Sequence, residues 1–165
     1  RENPDTTLDD KTARRLQYFY CLIDRYESEG RASIRLQLVG LISYSDIAFE
    51  LLDRFEDPDK VRPLLDQWQS RLLSFLERAP TRIDQAAPYL LWAFNHGDDQ
   101  AMAAVLSHIR EQDPFNPVYL WFDGLRKLKR DDTTQRGLEQ LRRALDKGIL
   151  RTLPIDEETQ QSLRR

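Results

Sequence analysis

The 165-residue sequence contains little cysteine, glycine or histidine: one Cys, six Gly and two His. A single cysteine, Cys21, excludes a disulfide framework within the chain and any zinc site built from several thiolates. No apolar run approaches the roughly 18–20 residues that a helix needs to cross a bilayer. Residues 1–15 contain no apolar segment typical of a secretory signal. Three Trp, six Tyr and seven Phe nevertheless provide enough apolar surface for a folded core.

The charged residues are nearly balanced, with 25 basic and 28 acidic side chains and a net charge of −3. Such a balance predicts no nucleic-acid partner, because DNA- and RNA-binding chains usually show a strong basic bias. Because the sequence begins with Arg1 rather than Met, we expect a processed product or a fragment. Whether a membrane segment upstream of Arg1 tethers it stays open. The compartment stays open between a cytoplasmic and a periplasmic location. We expect no direct insertion of this fragment into a membrane.

Apolar residues recur at spacings of three and four along most of the chain, which is typical of amphipathic helices. They predict helices over residues 9–29 and 33–55, and a third that ends at Arg78 before Ala79-Pro80. Residues 34–38 also alternate like a strand, but no partner strand is evident, which favours a helix. The apolar stripe of the third predicted helix consists of Leu64, Leu65, Trp68, Leu72, Phe75 and Leu76.

The second half of the chain shows clearer helix boundaries. Asp84 is the expected N-cap of a helix that ends before Gly97, and either Asp98 or Asp99 caps the next. Asn116 followed by Pro117 predicts a helix start, and this helix runs to about residue 130. Another begins at Thr133 or Thr134 and ends before Gly148, and residues 154–165 hold a short polar one. The fold class is therefore all-α, with seven to eight helices in antiparallel hairpins.

Helix-stop residues recur at a fixed interval in this half. Pro80, Pro114 and Gly148 each follow an amphipathic helix and are 34 residues apart. A helix–turn–helix unit of this length is the period of the tetratricopeptide repeat. Residues 84–148 resemble that family in further positions: the junction at 113–117, the large and small residues Leu120 and Gly124, and the series Gly137, Leu141 and Ala144.

The resemblance implies a short α-solenoid of stacked helical hairpins within a single helical domain, residues 1–165. Residues 9–80 would form two long helical hairpin elements, 81–148 two degenerate repeat units, and 149–165 a C-terminal capping segment. The alternative is an ordinary helical bundle in which the spacing of the stop residues arose by chance.

The sequence contains no pattern that predicts catalysis, a cofactor or a metal site. His96 and His108 lie on different predicted elements, and no metalloprotease, phosphate-loop or nucleophile-elbow motif occurs. Asp98-Asp99 and Asp131-Asp132 are explained as caps of the following helices, and the basic residues near position 130 as complements of a helix dipole. We therefore expect a non-enzymatic chain.

Aromatic and apolar residues form a second stripe on the helix that follows Pro117. In tetratricopeptide arrays this face of the first helix of each unit lines a groove that binds peptides. The resemblance therefore implies a candidate partner groove formed by Trp92, Asn95, Trp121 and Leu125. The alternative is that these side chains pack in the core, for example against residues 149–155.

The expected function is that of a protein-interaction scaffold, which binds a partner peptide or domain. An alternative comes from residues 144–149 and 153–155, which are similar to the end of the soluble C-terminal domains of O-antigen polymerase or ligase and pilin-glycosylation proteins of bacteria. That similarity implies a periplasmic accessory domain of a polytopic membrane protein.

Overall fold

A computed structural model describes residues 62–165, apart from the side chains of Pro63, Leu64 and Asp131. All regular elements of this part are helical, which confirms the all-α class. The helices are α1 (Arg62–Arg78), α2 (Ala87–Asn95), α3 (Asp99–Gln112), α4 (Pro117–Leu128), α5 (Thr134–Asp146) and α6 (Glu157–Arg164), with short 3-10 segments at Ile83–Ala86, Asp131–Thr133 and Ile149–Arg151. The helices predicted over 9–29 and 33–55 lie outside the described residues, and solenoid stacking stays a prediction.

The chain divides into two compact units, residues 1–78 and 79–165. Helix α1 belongs to the first unit and ends at the predicted residue, Arg78. Its described apolar stripe is buried as expected and consists of Leu65, Trp68, Leu72, Phe75 and Leu76. The remaining helices belong to the second unit, and each unit is described by itself.

Helix α2 begins later than the sequence predicts, and Asp84 is not its N-cap. Residues 83–86 form a 3-10 turn, and the α-helix starts at Ala87 without a side-chain cap. Pro88 explains the shift: its nitrogen carries no hydrogen, so a regular ladder of hydrogen bonds cannot begin four residues earlier. The Asp84 carboxylate instead accepts hydrogen bonds from Arg82 and Gln85.

Helices α3 and α4 begin with the predicted caps. The Asp98 carboxylate accepts a hydrogen bond of 2.9 Å from the backbone N–H of Ala101, so Asp98 caps α3 and Asp99 occupies the first turn. Asn116 accepts from the N–H of Val118 at 3.0 Å, directly before Pro117. The inward residues predicted for α3 are all buried: Ala101, Met102, Val105, Leu106 and Ile109.

The two neighbouring aspartates allow a matched test of the cap. Replacing Asp98 by Ala leaves an N–H of the first turn without its acceptor, and we expect a loss of about 1 kcal/mol in unfolding free energy. Asp99→Ala keeps that hydrogen bond and should change the free energy by less than about 0.5 kcal/mol. Urea denaturation followed by far-UV circular dichroism measures both. Equal losses in the two variants would contradict the assignment of the cap.

Helices α4 and α5 form the most extensive helix–helix contact in the described part of the chain. Two glycines face each other there. A Cβ added at Gly137 would lie 2.8 Å from the Gly124 carbonyl oxygen, and one added at Gly124 would lie 3.0 Å from the Gly137 oxygen. Both helices therefore pack with their backbones in direct contact, at the small positions that the sequence indicated. Leu141 and Ala144 are buried beside them.

The ends of α2 and α4 lie next to each other. Phe94 is in the last turn of α2, and the Nζ atom of Lys129, one residue beyond α4, lies 4.6 Å from the centre of its ring. Helix α3 contacts both α2 and α4. The first helices of the two hairpins, α2–α3 and α4–α5, therefore end on the same side of the unit, where the second helices begin.

The C-terminal segment folds back onto the unit. Gly148 adopts a left-handed conformation with φ of +89°, which few other residues accept, and so ends α5 and turns the chain. Ile149, Leu153 and Leu163 are buried beyond this turn. Arg142 donates from its Nε atom to the carbonyl oxygen of Leu163, which attaches α6 to α5.

Candidate functional site

The four residues of the predicted groove lie in different environments. Trp92 is 1% exposed and Trp121 is 7% exposed, so both indoles are interior side chains. Leu125 is half-buried and Asn95 is exposed. In this conformation the indoles are not available as open contact surface, and core packing, the alternative reading of these two residues, accounts for their burial. Leu91, four residues before Asn95, is exposed on the same side of α2.

Trp92 is enclosed by aromatic neighbours of its own helix. Its ring stacks on His96 with the centres 5.3 Å apart and an angle of 23°, and it meets Tyr89 at 5.8 Å. His96 in turn contacts the Trp92 carbonyl oxygen through its Nδ1 atom at 3.0 Å. The indole Nε1 atom of Trp92 is buried and has no hydrogen-bond partner within the described residues. A buried donor without an acceptor lowers stability.

A charged cavity opens at the side of the unit where the first helices end. Its volume is about 130 Å³, and its lining consists of Asp99, Asp123, Arg126, Lys127, Arg130 and Thr133. We call this set the charged cavity. The side chains come from the start of α3, the last two turns of α4 and the loop into α5. The short loops of both hairpins thus bring together charged residues from the start of α3, from α4 and from the loop that follows α4.

Three side chains join α4 to α5 at the wall of this cavity. The Lys127 Nζ atom donates to Asp123 Oδ2 at 2.6 Å and to Gln140 Oε1 at 2.9 Å. Gln140 donates through Nε2 to the same Asp123 oxygen at 2.9 Å, which closes a ring of hydrogen bonds. Thr133 donates its hydroxyl hydrogen to the carbonyl oxygen of Lys127 and fixes the loop. These contacts hold one side of the charged cavity rigid.

The ring sets the protonation of Asp123. Burial opposes ionisation and is the largest single influence, but the hydrogen bonds from Lys127 and Gln140 together outweigh it, with the positive charges of Lys127 and Arg126 adding to them. The pKa of Asp123 is therefore lowered. Burial and then the nearby Asp123 carboxylate raise the pKa of Tyr119, one helical turn earlier. Both shifts keep Asp123 charged and Tyr119 neutral near neutral pH.

The lowered pKa of Asp123 predicts a loss of stability in acid. The carboxylate contributes stability above its unfolded pKa of about 3.9, and that contribution disappears as the pH falls through the lower folded value. Asp123→Asn should lower the unfolding free energy by about 1–2 kcal/mol at neutral pH and flatten its decline between about pH 5 and 3. Asp146→Asn, at an exposed position of α5, is the control. A decline as steep as in the unchanged protein would contradict the role of Asp123.

Lys127 is bonded to Asp123 and Gln140, whereas the two arginines of the charged cavity have no side-chain partner in the described part of the chain. Arg126 is half-buried in the last turn of α4, and Arg130 is exposed just beyond it. Neither guanidinium group forms a salt bridge or a side-chain hydrogen bond within residues 62–165. Asp99 is the other carboxylate of the lining besides Asp123.

Sequence reasoning assigned these residues to helix ends and missed the cavity. The sequence predicts the Asp98-Asp99 pair as a helix cap, which is confirmed for Asp98, and the basic run near position 130 as a complement of a helix dipole. The signal that could have revealed the site is that two charged segments, Asp98-Asp99 and Arg130-Asp131-Asp132, each join the two helices of a predicted repeat unit. Because α2 and α4 end side by side, the two loops are neighbours in space.

Within residues 62–165, no group of three His, Cys, Asp or Glu side chains is close enough to hold a metal ion. In the same part of the chain, none of the helices combines the length and the apolar character required to cross a membrane.

No family model, curated protein or solved structure matches the chain. The resemblances to tetratricopeptide repeats and to the C-terminal domains of O-antigen polymerase or ligase therefore stay predictions.

Proposed function

We propose that residues 79–165 form a non-catalytic interaction module that binds a protein partner at the side carrying the charged cavity. The observation that supports this is the cavity itself: an open site of about 130 Å³ whose charged lining comes from α3, from α4 and from the loop between α4 and α5. A tightly packed hairpin holds the site in place. Binding by such a module requires shape and charge rather than reactive groups.

The contact surface differs from the groove that the sequence alone indicates. Trp92 and Trp121 are interior side chains and do not form this surface. On α2, the exposed residues Leu91 and Asn95 are available to a partner. Two residues of the charged cavity are available as well, Arg126 in the last turn of α4 and Arg130 just beyond this helix. Interface energy is usually concentrated in a few residues, and arginine is enriched among them.

Site-specific photo-crosslinking tests the proposal. A benzoylphenylalanine residue placed at Asp132, which is exposed beside the cavity residue Thr133, should form an adduct of defined mass in cells of the source organism, and the partner peptide is identified by mass spectrometry. The same residue at Arg151, which is exposed beyond the opposite end of α5, is the control. A discrete adduct from position 132 alone supports the interaction site. No adduct at 132, or the same adduct from both positions, would overturn it.

A further inference from the structure

We infer that the charged cavity is an oxyanion-binding site in which Arg126 and Arg130 hold a carboxylate or phosphate group. The inference rests on the proposed function and adds the chemistry of the group that the partner presents. One water molecule needs about 10–15 Å³ of cavity volume. The cavity of about 130 Å³ therefore has room for several water molecules or, in their place, for one small group. We expect a single small group as the ligand.

The charges of the lining show which groups are left to bind a ligand. Asp123 and Lys127 neutralise each other and share Gln140, so neither requires an external partner. Asp99 lies in the first turn of α3, where the positive end of the helix dipole compensates a carboxylate. Arg126 and Arg130 remain. Three basic and two acidic side chains leave the lining with a net charge of +1.

The two guanidinium groups are suited to an oxyanion for geometric reasons. Arg126 lies in the last turn of α4, Arg130 lies two residues beyond the end of this helix, and both line the same cavity. A guanidinium group donates two parallel hydrogen bonds to a carboxylate or a phosphate, and such charge-assisted bonds are about twice as strong as neutral ones. The ring formed by Asp123, Lys127 and Gln140 positions the adjacent wall, so the ordering that binding requires is mainly that of the two arginine side chains.

The test uses the full chain labelled with nitrogen-15 and two probes, inorganic phosphate and a hexaglutamate peptide. We expect backbone amide signals near residues 126–134 to shift on addition of either probe, and the affinity to fall about tenfold in Arg126→Gln and in Arg130→Gln. Arg151→Gln is the matched control and should bind as the unchanged protein does. Far-UV circular dichroism verifies that every variant is folded.

The outcomes separate the ligand sources and the two proposals. Tighter binding of hexaglutamate than of phosphate identifies a carboxylate carried by a peptide, and the reverse identifies a phosphate group; both support the site. Equal affinity in the arginine variants and the control, or equal binding of a hexaglutamine peptide, overturns the oxyanion site. A crosslink at position 132 that is still observed in that case would support the interaction module without the oxyanion site. Arginine-dependent phosphate binding without any crosslink would retain the anion site and reject the protein partner.

Discussion

Gly137→Ala is expected to lower the unfolding free energy of the 79–165 unit by about 1–3 kcal/mol. The added methyl group would lie 2.8 Å from the carbonyl oxygen of Gly124, and backbone atoms cannot rotate away as a flexible side chain can. Alanine favours the helix over glycine by up to about 1 kcal/mol, which offsets part of the loss. The steric cost of the added methyl group is larger than this gain, because α4 and α5 must move apart along their whole contact.

Gln135→Ala, at an exposed position in the first turn of the same helix, is the control and should be neutral or slightly stabilising. Urea denaturation gives the free energies, and amide hydrogen exchange of peptides from 117–146 shows where protection is lost. If Gly137→Ala were as stable as Gln135→Ala, the backbone contact between the hairpin helices would be refuted.

Trp92 is the second position at which we expect a large effect. Trp92→Ala should cost about 3–5 kcal/mol, because it leaves a cavity among buried neighbours and removes the stack on His96. Trp92→Phe should cost much less, about 1.5 kcal/mol or below. Phenylalanine retains an aromatic ring and removes the indole N–H, which has no acceptor in the described structure.

The comparison between these variants distinguishes an interior role from a surface role. An exposed groove residue would tolerate alanine with a loss below about 0.5 kcal/mol, while partner binding would suffer. Since Trp68 belongs to the other unit, circular dichroism and hydrogen exchange of residues 79–165 are better measures than total fluorescence. A loss of unfolding free energy below about 0.5 kcal/mol in Trp92→Ala would instead support the prediction that the indole lines the groove. A large effect of Trp92→Phe would reveal an acceptor for its N–H.

The helix boundaries of the second unit could be predicted from local chemistry. A helix start or end is determined within one turn by a single cap, proline or glycine, so it can be predicted from the residue itself. This holds for Asp98, Asn116, Pro117 and Gly148. The start of α2 could not be located in the same way. Asp84 has the properties of a cap, but the missing N–H of Pro88 determines where the regular ladder begins.

The candidate site could be predicted only in part, because it depends on long-range packing. Periodicity correctly placed Trp92 and Trp121 on apolar stripes, but a stripe does not reveal whether it meets solvent or another helix. The charged cavity requires α2 and α4 to end side by side, as the contact between Phe94 and Lys129 shows. No local pattern contains that information.

The contacts that join α4 to α5 connect residues close in sequence. Gln140 bonds Lys127 and Asp123 across separations of 13 and 17 residues, and the two glycines meet over a similar distance. Closing a short loop costs little entropy, and local contacts speed folding. We therefore expect residues 117–146 to form the folding nucleus of their unit, so that substitutions at this contact slow folding more than they accelerate unfolding. The part of the molecule that supports the charged cavity would then be the first to become ordered.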